Sequence, residues 1–205
     1  MRADITSDMQ PLPELVKGLE VLKLFLKYYD FAFDKYENGK GSGGQFSVVT
    51  FKKNNKKFIL GYRYSIGYVI YQCDESQVSH DFYLNGLGFA EQKQFPDFQS
   101  DDKLLAFHHV LHDFQYLIND FFAGECLQLK FLAKQQMEQL EERIRKSKEE
   151  GKYQFDRLKI ERARQAFKKK DYHQCYETYR GIEYREILTE LDKKTIAYCR
   201  KHIHD

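Results

Sequence analysis

The chain has 205 residues, of which 42% are hydrophobic and 31% are charged, the profile of a folded, water-soluble protein. Its 33 basic residues nearly balance its 31 acidic ones, which argues against a chain-wide basic field for nucleic acid or a membrane surface. No apolar run approaches the roughly 20 residues of a membrane span, and the polar N-terminal segment lacks the apolar core of a signal peptide. The four cysteines form no CxxC spacing, so we expect a reduced, cytoplasmic protein.

Charge is distributed unevenly along the chain. Residues 1–125 carry 13 basic and 17 acidic side chains, whereas residues 126–205 carry 20 basic and 14 acidic ones. The local pattern changes at the same place, from mixed helix and strand signals to helix signals. We therefore predict a disordered tail over residues 1–13, an α+β domain over residues 14–125 and an α-helical region over residues 126–205.

The α+β domain is predicted to begin with a helix and to continue with a small sheet. Apolar residues recur at three- and four-residue spacing from Glu14 towards Tyr36, which predicts one helix. The stretches QFSVVTFK, KFILGYRYS and YVIYQC are rich in β-branched and aromatic residues and are separated by turn signals. They predict an antiparallel meander of three strands that the helices cover.

Four glycines lie between this helix and the first predicted strand, in the stretch ENGKGSGGQF. A phosphate-binding loop requires a strand before the glycines and the motif GK[ST] leading into a helix after them. Here the order is reversed, and Lys40 is followed by another glycine. We interpret the stretch as a flexible connection from helix to strand, and the alternative is a mobile binding loop.

A second helix of this domain is predicted to run from Asp101 and Asp102 to Gly124. The two carboxylates suit the positive end of a helix dipole, and the glycine suits a helix end. Between them, a continuous apolar stripe predicts that the helix packs on the sheet. Aromatic strands could also offer a stacking platform for single-stranded nucleic acid, but their surroundings are not basic, which favours core packing.

This second helix contains the histidine cluster HHVLHD. His108 and His112 are four residues apart and share a helix face, a spacing at which two imidazoles can bind a divalent metal. The pattern lacks the glutamate of HExxH and a third ligand at fixed spacing, so a solvated histidine face is the competing interpretation. The same periodicity predicts that His109 and Asp113 lie on the polar side of the helix.

The region after residue 125 predicts helices. The stretch CLQLKFLAKQQMEQLEERIRKSKEEGK predicts a long helix with a break near Gly151. Further helices are predicted over about residues 153–169, 172–181 and 189–202, the last with Thr189 as its N-cap.

The segment ARQAFKKKDYHQCYETYRGI resembles most of a tetratricopeptide unit, because its small, aromatic and aliphatic residues occupy the packing positions of that family. They are Ala163, Ala166, Cys175, Tyr179 and Ile182. Two features depart from the family: Lys159 stands where a large aromatic is usual, and no second copy follows. The resemblance implies a helical hairpin, and two antiparallel helices without repeat ancestry are the alternative.

A second resemblance covers about residues 58–124. The segments YRYSIGYVIYQCDESQVSHDFYLNGLG and FPDFQSDDKLLAFHHVLHDFQYLINDFFAGE are similar to a pattern in small bacterial immunity-type proteins. The resemblance implies a cytoplasmic α+β protein that binds and blocks a toxin, and it supplies no catalytic residues. The abundance of Tyr, Phe and Arg is typical of protein interfaces.

These observations lead to one preferred function and two alternatives. We predict a non-enzymatic protein-binding module that occludes a partner toxin without any cofactor, and whose acidic first half would steer a basic toxin such as a nuclease. The alternatives are a helical scaffold that docks partners through the C-terminal hairpin, and a metal-dependent enzyme centred on His108 and His112. The candidate partner contacts are Gly41, Gly43, Tyr62, Arg63, Tyr68, Asp97, Asp101 and Asp102.

Overall fold

The computed structural model of the chain describes residues 4–5, 10–97 and 102–203. The chain forms two compact units, Met1–Glu138 and Gln139–Asp205. The first combines an antiparallel sheet with helices and the second is helical, so the predicted α+β class with a helical C-terminal region is confirmed. The predicted tail, residues 1–13, lies mostly outside the described residues and stays a prediction. No helix of the described ranges has both the length and the apolar character needed to cross a membrane.

The sheet is an antiparallel meander in which every strand pairs with its neighbour in sequence. The strands are β1 (Asp4–Ile5), β2 (Ala32–Gly41), β3 (Gly44–Lys53), β4 (Lys56–Tyr62), β5 (Ile66–Cys73) and β6 (Ser76–Ser79). The prediction of three strands is therefore wrong, because five strands of four or more residues pair, with the two-residue β1 at the edge. The predicted strands are β3, β4 and β5. Strand β2 was missed because its charged sequence AFDKYENGKG continues the spacing of the preceding helix.

The glycine stretch forms a β-hairpin, not a helix-to-strand connection. Gly41 pairs with Gly44 across the turn between β2 and β3, and Gly44 has a φ of 94°, in the region that favours glycine. The preceding helix, α1 (Pro13–Tyr28), ends well before the glycines. Asp30, at a φ of 60°, reverses the chain direction there.

Helices cover one face of the sheet. They are α1 and α3 (Leu105–Asp113), while the short α2 (His80–Gly86) follows β6 directly, with Ser79 at its N-cap position. The predicted single helix up to Gly124 is wrong beyond Asp113, because a 3₁₀ turn (Phe114–Leu117) and a π-helical turn (Ile118–Phe122) follow. The largest fully buried side chains of the first unit are aromatic: Tyr71, Tyr83, Phe58, Phe107, Phe114, Phe121 and Phe122.

The second unit contains most of α4 (Leu127–Lys168) together with α5 (Tyr172–Arg180) and α6 (Glu190–Lys201). The predicted break near Gly151 is wrong, because α4 continues through it, and a single glycine costs a helix only about 1 kcal/mol. Thr189 caps α6 as predicted, in a reciprocal arrangement with Asp192. The core of this unit is formed by Ile160, Ala163, Cys175, Tyr179, Ile182, Leu188 and Cys199. It contains four of the five residues behind the tetratricopeptide resemblance, and the fifth, Ala166, is partly buried against it.

Candidate functional site

The sheet has a covered face and an outer face. Val49, Leu60 and Tyr71 are buried among the helices. Because side chains alternate along a strand, the residues between them point to the outer face. Two cavities on this face are lined by residues of β2 to β5 and their turns. The apolar residues of the outer face are Phe46, Val48, Ile59, Tyr68 and Ile70, and its charged residues are Asp34, Lys35, Glu37, Lys52, Lys57 and Arg63.

Strand register brings the apolar residues of the outer face into one strip. Ile59 of β4 pairs with Thr50 of β3 on one side and with Ile70 of β5 on the other. In the next row, Val48 lies beside Gly61, and Gly61 lies beside Tyr68. Val48, Ile59 and Ile70 are half-buried and Tyr68 is 43% exposed. The strip is therefore contiguous across three strands and open to solvent.

Gly61 makes a groove in this strip. A Cβ atom at this position would overlap the ring of Tyr68, so the tyrosine lies over the bare backbone of the neighbouring strand. The groove between Phe46, Val48 and Tyr68 has a volume of about 420 Å³. Burial raises the pKa of Tyr68, and the nearby Glu37 carboxylate raises it further. The Tyr68 side chain therefore keeps its hydroxyl proton at physiological pH and can donate a hydrogen bond.

The glycine hairpin forms one end of the groove. The Tyr64 hydroxyl donates to the Gly43 carbonyl oxygen at 2.7 Å, which ties the hairpin to the turn between β4 and β5. The Arg63 guanidinium lies over the ring of Phe46, 5.9 Å from its centroid. A Cβ at Gly43 would overlap that guanidinium, so the glycine allows Arg63 to lie flat against the hairpin.

Cations outnumber anions on the outer face. Lys35, Lys52, Lys57 and Arg63 oppose Asp34 and Glu37, and Lys35 is paired with Glu37. This balance is opposite to the acidic excess of residues 1–125 as a whole.

A third cavity, of about 240 Å³, lies on the other side of the β4–β5 turn. It is lined by Tyr64, Ser65, Asp97, Asp102, Lys103, Leu105, Ala106 and His109. The His109 Nδ1 atom is 3.9 Å from an Asp97 carboxylate oxygen, within the range of a weak ion pair if the imidazole is protonated. An Asp102 carboxylate oxygen accepts from the backbone N–H of Leu104 at 2.8 Å, near the start of α3. The cavity therefore mixes acidic and basic groups.

The structure places the predicted contact residues in two neighbouring groups. Gly41, Gly43, Arg63 and Tyr68 belong to the groove and its hairpin. Asp97 and Asp102 line the third cavity, and Asp101 lies outside the described residues. The turn of residues 63–65 contributes to both groups.

Tyr62 does not present its side chain to a partner. It is 3% exposed and packs against Phe107, with ring centroids 6.0 Å apart, while its hydroxyl donates to the Tyr64 carbonyl oxygen at 3.3 Å. Its place among the candidate contacts is corrected because alternation along β4 turns it to the covered face.

The two candidate metal ligands have different surroundings. His108 is exposed, whereas the His112 Nδ1 atom is 3.0 Å from a carboxylate oxygen of Asp113. Within the described ranges, no group of three or more His, Cys, Asp or Glu side chains is placed to hold a metal ion. The prediction that Asp113 lies on the polar side of the helix is wrong, because Asp113 is fully buried.

Asp113 belongs to a buried network that the sequence did not indicate. The Tyr71 hydroxyl is 2.8 Å from His80 Nδ1, and His80 Nε2 is 3.0 Å from Asp113 Oδ2. A carboxylate only accepts, so the His80 Nε2 atom carries a proton and donates it to Asp113. Asp113 also accepts from the backbone N–H groups of Gln94 and Phe95, at 2.8 and 2.9 Å. The network fixes the segment after α2 against α3.

The outer strip was missed for a different reason. Val48 and Val49 are adjacent and both apolar, so the sequence of β3 does not indicate which face is covered. Neither a protein-family model, nor a curated protein, nor a solved structure matches this chain. The resemblances to immunity-type proteins and to a tetratricopeptide unit therefore stay predictions, and the candidate site rests on its own geometry.

Proposed function

We propose that the chain is a non-enzymatic protein-binding module whose partner docks on the outer face of the sheet. The observation that carries this proposal is the open apolar strip of Val48, Ile59, Ile70 and Tyr68 inside a charged border. An apolar centre with a polar rim is the usual anatomy of a protein interface. Tyr68, whose ring lies over Gly61, is the aromatic side chain that we expect to contribute most to binding at this apolar centre.

The charged border favours a partner of opposite charge. Since cations outnumber anions on the outer face, the matching surface presents an apolar patch with carboxylates beside it. Arg63 is held over Phe46 and against the hairpin, so it loses little freedom when it binds a carboxylate.

Within this proposal, the chain is an inhibitor of the bacterial immunity type that occludes a toxin. Paired strands form a rigid platform, and a rigid surface binds without a large ordering cost. The toxin binds this platform through an acidic patch of its own. This replaces the prediction of a basic toxin, which was based on the overall acidic charge of residues 1–125.

A capture experiment with two matched variants tests the proposal. The full chain, Ile59→Lys and Leu24→Lys are used as baits in nuclease-treated lysate of the native host, and the partner identified by mass spectrometry is purified. Ile59 lies at the centre of the strip, whereas Leu24 is 80% exposed on α1, which covers the other face. We expect the wild-type chain and Leu24→Lys to bind the partner one to one, and Ile59→Lys to bind at least about tenfold more weakly.

Each part of the proposal can fail separately. If no stoichiometric partner is captured, the protein-binding function is wrong. Equal binding by all three proteins would refute the outer face as the docking surface. If saturating chain leaves the activity of the purified partner unchanged, the inhibitor function is wrong and only binding remains. Circular dichroism of each bait confirms that it is folded.

A further inference from the structure

Helix α4 carries an exposed apolar stripe in the second unit. Leu140, Ile144, Phe155 and Leu158 are 50%, 46%, 54% and 51% exposed. At about 100° per residue, they and Gly151 fall within an arc of about 60° on the helix. Large side chains in a single stripe, each half open to solvent, indicate a surface that a partner covers.

The stripe lies away from the core of its own unit. Asp156, Ile160 and Ala163 are the buried residues of this part of α4, and they point about 140° away from the stripe. Packing of α5 and α6 on α4 therefore leaves the stripe free for a second molecule.

The spacing of the stripe is symmetric. From Leu140 the next members follow after four, seven and four residues, at Ile144, Gly151 and Phe155. In an antiparallel pair of two such helices with a two-fold axis near residues 147 and 148, Leu140 faces Phe155 of the second copy. Ile144 then faces Gly151, which has no side chain and accommodates it.

Charges beside the stripe fit the same register. Arg143 of one copy lies beside Glu150 of the other, and the two-fold axis makes this contact twice. Glu141 lies beside Lys152, which within one chain is 2.9 Å from Glu183. The unfavourable contacts are those of Lys148 with its own copy and, at the same offset as the favourable pairs, with Arg145 of the other copy. A parallel pairing would instead set Arg143 beside Lys148 and leave a gap where two copies of Gly151 meet.

We propose that two copies of this chain associate through antiparallel pairing of α4 over residues 140–155. This association uses a surface separate from the outer face of the sheet and does not depend on the proposed function. Because the two-fold axis uses the same stripe on both copies, no stripe is left to bind a third copy, and the assembly stops at a dimer.

Sedimentation equilibrium of the full chain and its charge variants tests the association. We expect a reversible dimer, weakened about tenfold by Arg143→Glu or by Glu150→Arg and restored to within about twofold when both changes are combined. Glu149→Arg is the matched control, because it makes the same charge change on the side of the helix away from the stripe, and it should leave the dimer unchanged. Lys148→Leu should tighten the dimer, since it removes the like-charge contact and extends the stripe.

Cysteine cross-linking tests the register. Ser147→Cys lies at the two-fold axis and should form an intermolecular disulfide with its own copy under dissolved oxygen, while the four native cysteines are buried. Leu140→Cys alone should not cross-link, but a mixture of Leu140→Cys and Phe155→Cys chains should. A monomer at about 100 µM, charge variants without effect, or Leu140→Cys cross-linked to itself would each overturn the proposal.

Discussion

Asp113 shows how one side chain can hold several segments together. Its carboxylate accepts from two imidazoles and from two backbone N–H groups, and its exposed fraction is zero. Helical periodicity predicted that Asp113 lies on the solvated face, where acidic residues are usual. The prediction is wrong because buried hydrogen-bond donors surround the Asp113 carboxylate and compensate for its loss of water. Its partner His80 lies 33 residues away, a contact that local pattern does not predict.

Replacing Asp113 with Asn is expected to lower the free energy of unfolding by about 3 kcal/mol, because the amide accepts fewer hydrogen bonds and its NH₂ group faces donors. Urea denaturation followed by circular dichroism measures the change. His112→Gln is the control, since His112 is about one-third exposed and makes only one of the four bonds; its cost should stay below about 1 kcal/mol. Equal losses for the two variants would contradict the assigned role of Asp113.

At the scale of elements, two helical glycines have opposite surroundings. A Cβ at Gly18 of α1 would overlap the buried ring of Phe107 on α3, whereas a Cβ at Gly151 of α4 would meet no atom of the chain within 4 Å. The sequence predicted α1 through this glycine correctly but placed a break at the other. The helix propensity of a glycine can be estimated from the sequence. Whether a side chain of another helix occupies the space beside that glycine cannot.

Gly18→Ala is expected to destabilise the protein by about 1–2 kcal/mol, because displacing Phe107 costs more than the gain in helix propensity. In the monomer, at concentrations below those of the proposed dimer, Gly151→Ala should instead stabilise α4 by about 0.5–1 kcal/mol. Thermal and urea unfolding of the two variants, compared with the wild-type chain at the same concentration, provide the measurement. If Gly18→Ala proved the more stable of the two, the close approach of α1 and α3 would be refuted.

At the scale of the whole molecule, buried carboxylates support both units. In the first, burial opposes ionisation of Asp113, but hydrogen bonds from His80, His112 and two backbone N–H groups lower its pKa overall. In the second, the Arg164 guanidinium holds the pKa of Asp192 well below its usual range, at N–O distances of 2.8 and 2.7 Å. The sequence predicted an α+β region and a helical region. It did not indicate that each region contains a buried carboxylate that supports its structure.

The free energy of unfolding should therefore fall as the pH drops below about 4. A carboxyl group with a lower pKa in the folded state binds protons more readily when unfolded, so acid favours unfolding, and the stabilisation is complete above the unfolded pKa. Urea denaturation at pH values from 7 to 3 measures this dependence. Asp113→Asn should show a shallower decline, and an unchanged slope would contradict the contribution of this group.

The order of the strands also bears on how the chain reaches this structure. From β2 to β6, each pairing joins strands that are neighbours in sequence, so this part of the meander has low contact order and its hairpins can close one after another over short loops. The approach of Gly18 to Phe107 closes a far longer loop, and we expect it late, after the transition state for folding. Stopped-flow measurements on Gly18→Ala should then show faster unfolding and an almost unchanged refolding rate.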